Sequence, residues 1–334
     1  MNIAYHVAAP PPALPGTDAL WQETGLLAGR WGGEEISVYP FARPFPLTPP
    51  ALFGWAVRDR LRALDRTGCR HHVFSASPHA YPYLRSLRGP LLYTVVAGGM
   101  PRRIPAWLLA RATWVVSHAR DQAALASLGA SRIHEIMPGI PLTPFARVPP
   151  PPAGPFTLLM ASAPWTKAQF VHKGVDLLLQ TLPRFPELRL VLLWRGSHGE
   201  VLQKRLQRFQ VERQVEVIHQ AVDVAALLHR IHAVVLLSDQ SKWVKAWPHS
   251  LVEGLAAGRP VLTSTAIAMS DFVTRHRFGQ VLEGWSVDAL QSALARLMQE
   301  PPLRAEARTL VQATFDPERM IKAYGQLYAA MAPA

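Results

Sequence analysis

The strongest constraint on this chain is a steady alternation of short apolar runs with helical stretches. The first series is Ile3–Val7, Ile36–Tyr39, His72–Ser75, Leu91–Val96, Trp114–Ser117 and Ile133–Met137. The second is Phe156–Ala161, Leu188–Trp194, Val215–Ile218, Ala233–Ser238, Pro260–Ser264 and Gln280–Leu282. Strands that are apolar throughout need cover on both faces, and intervening helices supply it. The pattern therefore predicts an α/β protein with parallel, doubly covered sheets. Between the two series lies Val148-Pro-Pro-Pro-Pro-Ala-Gly-Pro155, a run that stays extended and reads as a linker. The expected organisation is a first domain over 1–148, a linker over 149–155, a second domain over 156–316 and a closing helix, Pro317–Met331, within 317–334. Ligands of such sheets bind at the carboxyl ends of the strands, so two domains of this kind are expected to face a central cleft.

Composition removes several classes. The 334 residues are 49% hydrophobic and 17% charged, enough for a core and too apolar for a disordered chain. One cysteine, Cys69, excludes an internal disulfide framework and a cysteine-based zinc cluster, and fits a reducing cytoplasm. The start has no basic region of the secretory kind, and no apolar run reaches the roughly 18 residues of a membrane span. A cytoplasmic chain, soluble or peripheral on the inner membrane face, is expected. There is no Gly-x-Gly-x-x-Gly and no Walker motif, which weighs against dehydrogenases and NTPases. His71-His72 suits a strand edge, no histidine pair has a third ligand nearby, and no metal or other cofactor is expected. No paired catalytic carboxylates stand out, which disfavours hydrolysis.

Net charge is +12, which favours anionic partners. Residues 1–150 hold 15 arginines, no lysine and 8 acidic residues. On an expected helix Pro50–Arg66, Arg58, Arg62 and Arg66 form one stripe beside Phe53, Trp55 and Leu61. Arg102, Arg103 and Trp107 make a second basic and aromatic spot. Such surfaces suit an anionic leaflet or an acceptor. A solvated arginine face paired to Asp59 and Asp65 explains the stripe equally well. Without a zinc finger, an RRM-type signature or a lysine-rich tail, no nucleic acid partner is expected.

Two stretches carry chemistry. In Trp247-Pro-His-Ser-Leu-Val-Glu-Gly-Leu-Ala-Ala-Gly-Arg-Pro-Val-Leu-Thr263, a helix is expected to open at Ser250 and stop at Gly258 before a buried strand. Helix starts attract anions because their first N–H groups lack partners and carry partial positive charge. Ser250 and Glu253 also fit a Ser-x-x-Glu capping box, which by itself accounts for both residues. In Lys173-Gly-Val-Asp-Leu-Leu-Leu-Gln-Thr-Leu182, a cation stands at a helix start, where the dipole disfavours it. That placement suggests an anionic ligand, against the alternative of a solvated lysine.

Together these stretches resemble the donor-binding signature of retaining glycosyltransferases with the two-Rossmann-domain (GT-B) architecture, close to glycosyltransferase family 4. The resemblance is firm over 156–330 and loose before. It implies a last helix that returns to the first domain, a nucleoside-diphosphate sugar as donor and a hydroxyl acceptor, in cell-envelope, polysaccharide or glycolipid synthesis. It implies that Lys173 stabilises the departing diphosphate. The helix start over His249, Ser250, Leu251 and Val252 would hold the distal phosphate, and Glu253 the ribose. It also places Gly16, in Pro15-Gly16, at a close backbone approach. Departures from the pattern are specific. Lys245 stands where the first of two glutamates reads sugar hydroxyls, and Ser162 stands near the usual arginine, for which Lys167 is a candidate replacement. Asp271 replaces a glutamate in Thr265–Val273, where two glycines are missing, and Ala97 falls where a histidine is usual. These departures point to altered donor specificity or to an impaired, nucleotide-sugar-binding protein. An epimerase or phosphorylase on the same scaffold is a further alternative.

Overall fold

The computed structural model describes residues 1–12, 18–41, 48–194 and 198–331. The chain divides into two units: Met1–Ile140 with Phe315–Ala334, and Pro141–Thr314. In chain order the first contains β1 (Ile3–Val7), α1 (Ala19–Trp31), β2 (Glu34–Ser37), α2 (Arg58–Arg66), β3 (Arg70–Ser75), β4 (Leu91–Val95), α3 (Ala106–Arg111), β5 (Ala112–Val116), α4 (Ala119–Ser127) and β6 (Ile133–Glu135). The second runs through α5 (Thr143–Ala146), β7 (Thr157–Met160), α6 (Gln169–His172), α7 (Val175–Thr181), β8 (Arg189–Leu193), α8 (Gly199–Phe209), β9 (Val215–Ile218), α9 (Val224–Leu228) and β10 (Ala233–Leu236). It ends with α10 (His249–Ala256), β11 (Val261–Ser264), α11 (Ser270–His276), β12 (Gly279–Leu282), α12 (Val287–Leu297) and α13 (Ala305–Thr314). Helix α14 (Pro317–Ala330) belongs to the first unit.

Each unit is built on a six-stranded parallel sheet. The strand orders are β2-β1-β3-β4-β5-β6 and β12-β11-β10-β7-β8-β9. Both are doubly wound, with the order reversing between β1 and β3 in one and between β7 and β10 in the other. Every apolar run singled out in the sequence overlaps a strand, although β2 ends at Ser37, inside Ile36–Tyr39, and β6 ends at Glu135, inside Ile133–Met137. The cores are those of sheets covered on two faces: Leu158, Leu190, Leu192, Val235 and Leu262 sit with Leu178 and Leu294 in the second unit.

The return of the last helix to the first unit is seen in its contacts. Asp316 caps α14 by accepting from Glu318 N–H, and Pro317 opens its first turn. Trp31 Nε1 donates to Ile321 O at 3.2 Å. Buried in the sheet face, His72 bonds Tyr328 Oη at 2.7 Å through Nδ1 and Thr94 Oγ1 at 2.8 Å through Nε2. Thr94 in turn meets Tyr324 Oη at 3.0 Å. The helix therefore docks by hydrogen bonds as well as by apolar burial.

Two expectations for this unit are corrected. The stretch 50–66 is not one helix: a single 3-10 turn covers Pro50–Leu52, and α2 begins only at Arg58. Gly54 breaks it, at φ +72°, where a Cβ would strike the Tyr83 ring. His71 and His72 do not mark a strand edge either. They lie on β3, between β1 and β4, and are 0% and 1% exposed. His71 Nε2 meets Asp65 Oδ1 at 2.9 Å, and its Nδ1 meets His6 Nε2 at 3.1 Å. His6 Nδ1 continues the chain to Tyr83 Oη at 3.0 Å. Two histidines with fully paired nitrogens form structural hydrogen bonds of the core.

In the second unit, residues 146–149 are seated by arginines. Arg259, 1% exposed, donates to Leu228 O and to Pro149 O. Arg308 donates to Ala146 O, to Val148 O at 3.3 Å and to Ala256 O at 3.1 Å.

Candidate functional site

In a doubly wound sheet every strand-to-helix loop lies at the carboxyl edge, and the reversal of strand order opens a gap there. In the second unit the reversal lies between β7 and β10. The loops that follow these strands are 161–168 and 237–248, with 265–269 after β11 beside them. Most of the donor-site residues expected from the sequence lie in these loops or in the helices that they open.

Lys173 follows the one-turn helix α6, its N–H bonded to Gln169 O at 2.8 Å. Gly174 then turns the chain into α7 with φ +68°. A Cβ on Gly174 would lie 2.7 Å from Leu237 Cβ and 3.2 Å from Trp285 Cη2, so only glycine fits against the end of β10. The lysine side chain turns back to the end of β7, where Nζ donates to Ser162 Oγ at 3.3 Å and Ala163 O at 3.4 Å. It is 7% exposed, so it is not the solvated helix-start lysine that the sequence allowed. Burial pushes its ammonium down to about 8. Among the described residues no carboxylate lies within ion-pair distance of it. An ammonium so buried, with two long contacts to neutral oxygens, is poorly compensated by the protein.

The adjoining residue ties two loops together. His172 Nδ1 lies 2.7 Å from Asp239 Oδ2, and its ring stacks on Trp243 at 5.3 Å and 17°. Its carbonyl accepts from Asp239 N–H at 3.1 Å and from Ser238 Oγ at 3.2 Å. Ser238 N–H donates to Ser264 Oγ at 2.9 Å, which brings the end of β11 into the same network.

Helix α10 opens one residue earlier than expected, at His249, with Pro248 as its cap and no capping side chain. The expected Ser250–Glu253 capping box is thus absent, because Ser250 already lies inside the first turn. Apolar cover fixes the helix instead: a Cβ on Gly254 would lie 2.5 Å from Val234 Cγ2, so α10 presses directly on β10. His249, Ser250 and Glu253 are half-buried, and Leu251 and Val252 are buried in the core. Lys245 is half-buried. The next residue, Ala246, accepts through its carbonyl from Met269 N–H at 3.1 Å, joining this loop to the one before Asp271. Lys167 is exposed.

The remaining expected residues lie elsewhere. Gly16 falls outside the described residues. In the first unit, Arg58 and Arg62 reach Asp59 at 3.8 Å and 3.7 Å, while Asp65 binds His71 and the Arg88 and Gly89 N–H groups, not the stripe. Phe53 and Leu61 are core, whereas Trp55 is 69% exposed with the Arg58 guanidinium 5.1 Å above it. Arg66, Arg102 and Arg103 are exposed, and half-buried Trp107 carries Arg85 at 5.2 Å. A groove of about 690 Å³ along the edge strand β12, lined by Arg277, Gln280, Arg296 and Glu300 among others, includes none of the donor residues. No helix among the described residues is long and apolar enough to cross a membrane, and they hold no cluster of three metal-ligating side chains.

Known proteins of the same architecture match over the whole length. A glycosyltransferase from Rickettsia africae superposes with a TM-score of 0.73 at 14% identity, covering 99% of this chain and 98% of that one. A sucrose-phosphate synthase from Thermosynechococcus elongatus gives 0.75 at 15% identity and 99% of both chains. The Anabaena protein HepE in complex with UDP gives 0.69 at 13% identity, covering 99% and 100%. No curated protein matches by sequence. Identities of this size speak for the fold alone. The family model described as "Glycosyl transferases group 1" matches residues 166–311, which hold Lys173, His172, Asp239 and α10. The second unit thus carries a domain similar to the group 1 glycosyl transferases, and the two Rossmann-like sheets give the chain the GT-B fold of these structures.

Proposed function

We propose that this chain moves a sugar from a nucleoside-diphosphate sugar to an acceptor hydroxyl with retention of configuration and without a metal ion. The observation that carries the reading is the buried ammonium of Lys173, set at the reversal point of the sheet with no carboxylate among the described residues to balance it. As the sugar bond breaks, the diphosphate gains negative charge, and a fixed cation in a water-poor site stabilises it. The N-terminal turn of α10 adds N–H groups without a capping side chain, and Glu253 accepts from the ribose. Fixed cations and backbone dipoles then do what a metal ion does elsewhere. The solved relatives that hold UDP support a nucleoside diphosphate as the ligand class.

Exposed Lys167 is the weaker candidate for the role of the missing arginine, and normal donor affinity in Lys167→Ala removes it. The acceptor is a sugar, a lipid-linked molecule or another hydroxyl compound of envelope, polysaccharide or glycolipid synthesis. The arginine surface of the first unit suits an anionic membrane face in the cytoplasm. A second reading, a nucleotide-sugar-binding protein with impaired turnover, is favoured by Lys245 in place of a glutamate. Incubation with UDP- and GDP-sugars and mass spectrometry of the products separates the two. Product that depends on an added acceptor supports transfer. Thermal stabilisation by UDP or GDP without product means a binder, and a structure in which neither nucleotide touches Lys173 or Glu253 defeats both.

A further inference from the structure

Beside Lys173, the pair His172–Asp239 has no task in the reading above, yet it is fixed from several sides. Asp239 Oδ2 meets Nδ1 at 2.7 Å, Trp243 stacks on the ring, and two donors hold the His172 carbonyl. The side chains of His172 and Asp239 keep 29% and 22% exposure, so the pair is neither sealed in the core nor loose on the surface. A carboxylate only accepts, so this contact places the imidazole proton on Nδ1. In the neutral ring Nε2 is then a lone pair. Among the described residues Nε2 makes no hydrogen bond, its partner atom on the other side of the ring being the bonded Nδ1. A lone pair repels phosphate oxygens and suits a hydroxyl. Lys173 and Lys245, at the same edge, are donors only and cannot take a hydroxyl proton.

Resting on the donor reading, we propose that His172 Nε2 accepts a hydrogen bond from a hydroxyl of the transferred sugar, with Asp239 fixing its tautomer and Trp243 its tilt. His172 then does in this chain what an acidic residue at position 245 would do, and it makes the donor subsite selective for hydroxylated sugars. The stacking explains the aromatic residue at 243. The 67-residue separation of the pair means that closing the contact also brings the loops after β7 and β10 together.

The test is calorimetric titration of the full chain with UDP, GDP, UDP-glucose and GDP-mannose. His172→Phe keeps a ring on Trp243 and removes both nitrogens. It is expected to weaken the bound sugar nucleotide about tenfold while leaving the bare nucleotide unchanged. His172→Gln returns an acceptor near the Nε2 position and recovers part of the loss. Asp239→Ala releases the tautomer and gives a smaller loss in the same direction. Unchanged affinity for the sugar nucleotide in His172→Phe overturns the proposal. So does an equal loss for nucleotide and sugar nucleotide, which marks a purely structural role. In both cases the donor reading survives, whereas a wild-type chain that binds none of the four ligands ends that reading and the proposal together.

Discussion

The two units share a doubly wound sheet and differ in where they bury their polar groups. In the first, hydrogen-bonded histidines and tyrosines run through the middle: Asp65–His71–His6–Tyr83 on one path and Tyr328–His72–Thr94–Tyr324 on another. In the second, the large core cluster is mainly leucine and valine; buried Lys173, Ser238 and Ser264 sit at or just beyond the carboxyl ends of strands, while buried Arg259 and Thr181 bond backbone carbonyls. A network whose members satisfy one another stiffens a core. On the function proposed above, the buried cation at the sheet edge, which meets no carboxylate among the described residues, keeps its interaction for a ligand. On that reading, the contrast is between polar burial that serves structure and polar burial that serves a ligand.

The largest effect should come from Lys173→Met. Transfer should fall at least ~100-fold, the scale of losing one transition-state donor. Stability should move the other way. From about 8 up to the ordinary 10.5, the unfolded chain holds a proton that the folded chain has released, so stability rises with pH there and is lowest below 8. At neutral pH the lysine therefore costs stability, on the order of 1–3 kcal/mol, and methionine should raise the melting temperature. A lower melting temperature in that variant breaks the contrast. The same shift predicts that UDP or GDP affinity falls as pH rises through about 8, measurable by titration at pH 7 and 9.

Next in size is Gly174→Ala. The added Cβ meets Leu237 in a left-handed backbone, and a loss of about 2–4 kcal/mol is expected in urea unfolding, confined to the second unit. The first unit should fail in acid. Burial holds His6 and His72 well below the usual 6.5. Below that value the unfolded chain takes up protons that the folded unit refuses, so stability falls with pH by about 1.4 kcal/mol per unit for each histidine. Hydrogen exchange at pH 5 should show β3 and α14 losing protection before β7 and β10, and the reverse order would erase the distinction. The smallest effect belongs to the arginine surface. Replacing any one of Arg58, Arg62 and Arg66 by alanine should weaken flotation with anionic vesicles about fivefold, and less as salt rises.

The strands were legible in the sequence because parallel strands covered on both faces are apolar end to end. Ile3–Val7 and Val215–Ile218 form strands residue for residue. What the sequence hid is set by contacts between distant residues. Gly54 breaks the 50–66 stretch because of Tyr83, and the Ser250–Glu253 pattern fails as a capping box because the helix starts at His249. Lys173 was legible as a cation at a helix start. Its burial was not, because that depends on its side chain folding back to the end of β7. His172 and Asp239 offered a weaker signal: a histidine just before Lys-Gly, and an acid directly after an apolar strand.

The guanidinium groups of Arg259 and Arg308 have one practical consequence. They take the carbonyl oxygens of Ala146, Val148 and Pro149 as acceptors, so the stretch ahead of β7 is a belt fastened to the second unit. A recombinant fragment that begins at Phe156 would strip acceptors from two positive side chains, one of them fully enclosed. Beginning at Pro141 retains them, and that is where the second unit should be cut for independent expression.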